Sequence, residues 1–143
     1  MKKQHILNSS ITRLIGTLGH TDEFTVGDCG LPIPPTVERI DLALIRGIPS
    51  FMQTVDAILC EEQIEAVTLA TEFPQISPDL HQQFLARIQK EENLTGHKIQ
   101  IHYVSHEALK QQSQHSKAIV RTGECTAYAN AIFSSGVAFT EER

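Results

Sequence analysis

Three positions carry side chains suited to proton transfer. His20 follows the C-terminal end of a first predicted helix, where free carbonyls and the helix dipole favour a positive charge. A histidine biased that way suits a general acid, although it could equally be a cap that bonds the last carbonyls. Asp28 stands at the carboxyl end of a predicted strand, just before a glycine and a run of prolines. Open α/β sheets place ligand-binding groups at that point, and a turn-capping aspartate is the plainer alternative. His106 comes just after Ser105, in the first turn of a later helix, where the dipole disfavours a positive charge. His20 and His106 are therefore pushed in opposite directions, as expected of an acid and a base that work together.

A second group lies near the C-terminus, in the segment from Gly123 through Cys125 to Tyr128, Ala129 and Asn130. Tyr128 and Asn130 offer a hydroxyl and an amide, neutral groups fitted to reading other hydroxyls. The alternative is a structured hairpin loop. His102 and His106 are four apart, a metal-pair spacing on a helix. Here the first falls on a predicted strand and the second on the next helix, so the spacing loses its meaning. His5, His81, His97 and His115 lie in polar surroundings and are expected at the surface. Cys125 has no activating base nearby in sequence. Neither a phosphate-binding glycine loop nor a serine nucleophile elbow is present.

The elements that must hold these groups alternate between helix and strand. Asn8, Ser9 or Ser10 can cap a helix carrying Ile11, Leu14, Ile15 and Leu18, with Gly19 as its left-handed end. Phe24 to Asp28 reads as a strand, and Arg39 to Leu44 alternates with Ile40, Leu42 and Leu44 on one side. Ser50 caps a helix carrying Phe51, Val55, Ile58 and Leu59, and Ala66 to Ala70 is a buried strand. Ser77-Pro78 starts a helix carrying Leu80, Phe84, Leu85 and Ile88, ended by a turn at Asn93 to Gly96. Ile99, Ile101 and Tyr103 alternate in a half-buried strand, Ser105 caps a helix to about Gln114, and Ala118 to Arg121 and Ala131 to Ser135 complete the strands. This alternation predicts an α/β sheet packed between helical layers, whose strand order the pattern does not give.

Composition bounds the partners. The 143 residues fit one domain that can bury its own core. A net charge of -5, no tryptophan and no Lys/Arg run argue against nucleic acid and against an acidic membrane surface. An odd number of cysteines (Cys29, Cys60 and Cys125) and no CxxC pair point to a reducing, cytoplasmic setting. No window reaches the ~20 apolar residues of a membrane span, and the apolar stretch near the N-terminus is too short for a signal peptide.

Taken in order, several stretches resemble the D-ribose pyranase family. They are Leu18-Gly19-His20-Thr21-Asp22, Asp28-Cys29-Gly30-Leu31-Pro32-Ile33-Pro34, Arg39-Ile40-Asp41-Leu42-Ala43-Leu44 and Gly47-Ile48-Pro49-Ser50-Phe51-Met52-Gln53. Ser105-His106-Glu107, Arg121-Thr122-Gly123-Glu124-Cys125 and Tyr128-Ala129-Asn130 follow. The resemblance implies a single-domain, three-layer α/β sandwich over the whole chain, and a homo-oligomer that in this family is a decamer of two pentameric rings. It implies that His20 is the proton donor, that Asp28, His106, Tyr128, Ala129 and Asn130 bind the sugar, and that the Tyr128-Asn130 segment reaches the site from a neighbouring subunit. The family usually has proline before the tyrosine. Ala127 stands there, which leaves the loop less pre-set. The related fucose mutarotases share the fold but carry an arginine where His106 stands.

Such an enzyme converts pyranose to furanose by opening the ring to the aldehyde and closing it through another hydroxyl. No electron or group is transferred, so neither cofactor nor metal is expected. The base is open between water and a group held by Asp28 or His106. The competing readings are a fucose-type mutarotase, a non-catalytic sugar-binding module and, more remotely, a metal-dependent hydrolase.

Overall fold

The computed structural model describes residues 1–139. Eleven elements follow in chain order: α1 (Ser9–Thr17), β1 (Glu23–Gly27), β2 (Glu38–Asp41), α2 (Phe51–Leu59), β3 (Ile64–Ala70), α3 (Glu72–Ile76), α4 (Pro78–Thr95), β4 (Gln100–Val104), α5 (His106–Ser113), β5 (Ala118–Arg121) and β6 (Ala131–Ser135). The strands form one sheet in the order β2-β5-β1-β6-β3-β4. β1 pairs parallel with β5, β2 with β5, and β3 with β4, whereas β6 runs antiparallel to both neighbours, β1 and β3. Five strands therefore end on one edge of the sheet, the usual place for a ligand.

The core explains the layering. Phe24 and Val26 of β1 and Val67 and Leu69 of β3 face a cluster with Ile11, Leu14, Phe51, Val55, Phe84 and Ile88 from α1, α2 and α4. Phe24 stacks on Phe133 with ring centres 5.0 Å apart, and burying each ring contributes about 1.5–3 kcal/mol. The opposite side chains, among them Ala70, Ile119 and Ile132, pack with Leu109 of α5 and with Leu31 and Val37. Helices thus cover both faces, the three-layer α/β sandwich expected.

Caps set the helix boundaries. The Asn8 side chain accepts from the Ile11 N–H, and Ser50 and Gln53 form a reciprocal capping box on α2. α4 begins at a proline and ends on Gly96, whose φ of 74° closes it in the left-handed conformation. The first helix departs from expectation. It stops at Thr17, Leu18 is extended, and Gly19 lacks the left-handed conformation. The left-handed residue is Thr21 (φ 73°), inside a turn in which the Gly19 N–H donates to Asp22 Oδ2 at 2.8 Å. Leu44 also departs: β2 ends at Asp41 and Leu44 stands 76% exposed, because residues 42–48 fold back as a loop. His81 is buried rather than superficial. It lies edge-on to Phe73 and shares a 2.7 Å hydrogen bond with the Tyr103 hydroxyl, and that burial lowers its pKa. Its position on the inner face of α4 is what the polar look of its neighbours concealed.

Candidate active site

β1 lies between β5 and β6, so the chain leaving β5 must arch over the carboxyl end of β1 before it enters β6. That arch is the segment 122–130, and it is a crossover rather than a hairpin. It sets Asn130, fully buried, over the start of the next loop, where its Oδ1 accepts from the Asp28 N–H at 2.9 Å. Gly27 permits this approach. A β-carbon there would stand 2.7 Å from the Leu31 side chain and 3.1 Å from Asn130 Oδ1. Further fixing comes from the Thr122 hydroxyl, which donates to the Gly27 carbonyl at 2.7 Å, and from the Cys29 N–H, which donates to the Glu124 carbonyl at 2.8 Å.

α5 delivers the second group to the same edge. Ser105 caps it, and the His106 N–H donates to Glu72 Oε1 at 3.0 Å. That carboxylate sits below the usual range, held there by its own backbone N–H, by Thr71 and by His106. The His106 ring meets the Tyr128 ring edge-on, with centres 5.0 Å apart and an 85° angle. Tyr128 has φ 65°, an uncommon conformation for a bulky side chain, of the kind that persists where the surroundings over-determine it. One of its props is Ser77, whose hydroxyl donates to the Ala127 carbonyl at 2.7 Å instead of capping α4.

Electrostatically the cluster is poised for a polar, uncharged ligand. Burial raises the Asp28 carboxyl above its ordinary value; the Gly30 N–H, the nearby His106 and the Leu31 N–H pull the other way. Two buried polar atoms lack a hydrogen-bond partner among the described residues: His106 Nδ1 and Asn130 Nδ2. An unmet buried polar group costs about 1–3 kcal/mol, so two of them in one cluster mark the place where a ligand with hydroxyls would fit.

His20 is elsewhere. It precedes β1, whereas Asp28 follows it, and the six residue steps from Asp22 to Asp28 span about 20 Å at ~3.3 Å each. Its Nε2 donates to Glu65 Oε1 at 2.8 Å, so it does not serve as a cap on α1. A cleft of about 540 Å³ opens beside it, lined by Leu18, Glu62, Ser135 and Phe139 among others. Glu62 is buried there, which raises its carboxyl, and the Ser135 hydroxyl donates to it. Thus Asp28, His106, Tyr128, Ala129 and Asn130 gather on one chain, and His20 stands at the opposite edge. The order β5-β1-β6 seats the Tyr128-Asn130 segment beside the Asp28 of its own chain and away from that chain's His20. Glu65, Glu72 and Ser77 escaped the sequence reading. Each is an ordinary polar residue made relevant only by a partner at least 34 residues away.

His102 and His106 divide between β4 and α5, so they form no pair on one helix. Among the described residues, no group of three or more His, Cys, Asp or Glu could hold a metal ion. Among those residues, too, no helix is long and apolar enough to cross a membrane.

Residues 1–138 match the RbsD / FucU transport protein family. The chain belongs to this family. It is 58% identical over 139 residues to the D-ribose pyranase of Photobacterium profundum, covering 97% of this chain and 100% of that protein. It is 57% identical, with the same coverage, to the D-ribose pyranase of Vibrio parahaemolyticus. Among solved structures, Bacillus subtilis RbsD complexed with D-ribose superposes with a TM-score of 0.85 at 40% identity, covering 97% of this chain and 100% of that one. FucU from Bifidobacterium longum shares the fold at a TM-score of 0.77 and 17% identity, over 93% and 97% of the two chains.

Proposed function

We propose that this RbsD/FucU-family chain is a D-ribose pyranase that interconverts the pyranose and furanose rings of the free sugar. The observation that carries the reading is the pair of unpartnered buried atoms, His106 Nδ1 and Asn130 Nδ2, flanking the raised Asp28 carboxyl. A neutral polyol satisfies both without adding a charge. The relatives named D-ribose pyranase over their full length, and the RbsD structure holding D-ribose, support ribose as that polyol.

In the proposed mechanism the Asn130 amide and the Tyr128 hydroxyl grip sugar hydroxyls, and His106 fixes a third. His20 gives a proton to the ring oxygen as its bond to the anomeric carbon breaks. The anomeric hydroxyl passes its proton to the Asp28 carboxylate, leaving the open aldehyde. After rotation the 4-hydroxyl adds to that carbon, its proton returns to His20, and Asp28 gives its proton back to the anomeric oxygen. Atoms and charges balance, and each positioned proton donor or acceptor is typically worth about 10²- to 10⁴-fold. Glu65 orients the His20 ring for its part.

The two halves lie at opposite edges of one sheet, so the complete site is shared: His20 of one subunit serves Asp28 of the next. Head-to-tail sharing of this kind is the interface type that builds rings when its rotation closes, in keeping with the expected decamer of two pentamers. Three unbridged cysteines favour a cytoplasmic setting.

Subunit mixing tests function and sharing together. His20→Ala and Asp28→Asn are each expected to lose ribose interconversion as pure assemblies. Refolded together in equal amounts they regain about a quarter of the wild-type rate, because one junction in four carries both intact groups. Hybrid assemblies that form and stay inactive would rule out the shared site.

A further inference from the structure

The two loops that carry Asp28 and Tyr128 also bring together two thiols that the sugar chemistry does not use. Cys29 and Cys125, 96 residues apart in sequence, stand with their sulfurs 3.7 Å apart. Their backbones already run side by side, since the Cys29 N–H donates to the carbonyl of Glu124 at 2.8 Å, one residue before Cys125. A disulfide requires a sulfur separation of about 2.05 Å and β-carbons about 3.8 Å apart, so the approach remaining is under about 2 Å.

The setting suits oxidation. Cys125 is exposed and Cys29 is half-buried, and both line a cleft of about 330 Å³ together with Arg46 and Arg121. The Arg121 guanidinium donates to the Cys29 carbonyl at 3.0 Å and favours a thiolate nearby. The two sulfurs share a hydrogen bond, and that bond, with burial and the nearby Asp28 carboxyl, raises the Cys29 pKa. Cys125, the more exposed of the two sulfurs, meets solvent species first.

We propose that Cys29 and Cys125 are a modification site for hydroperoxides, forming a reversible intrachain disulfide beside the sugar site. Deprotonated Cys125 attacks the outer oxygen of the peroxide, the O–O bond breaks, and the leaving oxide takes up a proton to depart as water or alcohol. This leaves a sulfenic acid on Cys125. The Cys29 sulfur then attacks that sulfur, the S–O bond breaks, and the hydroxide leaves as water with the Cys29 proton. Two electrons pass from the thiol pair to the peroxide, and a dithiol reductant returns them. The inference is independent of which sugar the neighbouring residues bind.

Cys60 supplies an internal control. It is exposed, at the end of α2, and has no cysteine beside it among the described residues. The experiment exposes the folded assembly to a small excess of hydrogen peroxide, then counts free thiols, measures intact mass and runs a non-reducing gel. The expected result is a fall from three thiols to one, the loss of two hydrogens in mass, a single-chain band, and recovery of all three thiols with dithiothreitol. Cys29→Ser is expected to abolish the two-thiol loss and leave Cys125 as a sulfenic acid trapped by dimedone. The Cys60→Ser protein should oxidise as the wild type does, and urea should erase the preference for the pair. Oxidation of Cys60 as fast as the pair, cross-linking between chains, or an unchanged two-thiol loss in Cys29→Ser would each overturn the assignment.

Discussion

Replacing Asn130 with aspartate changes little in shape and much in charge. Asn130 is fully buried, and its Oδ1 accepts from the Asp28 N–H at 2.9 Å. Asn130→Asp keeps an oxygen for that bond. It removes the amide donor and sets a second carboxylate against Asp28, whose own carboxyl burial already raises. Two unit charges ~4 Å apart repel by about 1 kcal/mol in water and about 4 kcal/mol at an effective dielectric of 20. The variant should therefore lose about 1–4 kcal/mol of stability at neutral pH. The pH dependence gives the sign. In the folded chain both carboxyls hold their protons to a higher pH than the unfolded value of roughly 3.9. As pH rises past that value the unfolded chain releases protons first, so stability falls until the folded groups ionise, and it stays low above that point. Below roughly pH 3.9 variant and wild type should converge. Urea unfolding at a series of pH values, at fixed protein concentration, measures this. A penalty that is the same at every pH, or a variant gaining on the wild type as pH rises, would refute the reasoning.

Further outcomes follow from contacts around the same loops. Gly123→Ala puts a β-carbon 2.6 Å from the carbonyl oxygens of Ile45 and Ile48, which are backbone and cannot swing aside, so a thermal melt should show a loss of about 1–3 kcal/mol. Ser77→Ala removes the hydroxyl bond to the Ala127 carbonyl; stability should drop by about 1 kcal/mol, and KM for ribose should rise more than kcat falls, because Tyr128 is held less firmly. Tyr128→Phe keeps the ring edge against His106 and loses only the hydroxyl, so the melt should move little while sugar affinity, followed by calorimetry, weakens.

Much of this architecture is written locally. Ser50, Ser105, Pro78 and Gly96 mark helix ends through their own bonding or backbone limits, and the strands Ala118–Arg121 and Ala131–Ser135 stand where their apolar runs put them. What local pattern cannot carry is adjacency. Nothing in the residues 122–130 says that β1 separates β5 from β6, yet that order decides that Asn130 meets Asp28 and that His20 is left behind. The alternation at Ile40, Leu42 and Leu44 misled because it continues past the last strand pairing, at Asp41. The short helix α3 passed unnoticed, since five residues with a proline inside give no periodic signal; its Glu72 is nonetheless what receives the His106 N–H. Glu65 likewise reads as one more strand residue until the turn at Thr21 brings His20 to it.

The most direct test of the account is NMR exchange between the pyranose and furanose signals of D-ribose, with wild type and His20→Ala assayed side by side and L-fucose as the comparison sugar. The account predicts that wild type accelerates ribose exchange well above the spontaneous rate, that His20→Ala loses about 10²-fold or more of that acceleration, and that fucose is served less well. Wild type that leaves ribose exchange at its spontaneous rate, or His20→Ala that accelerates it as wild type does, would contradict the account.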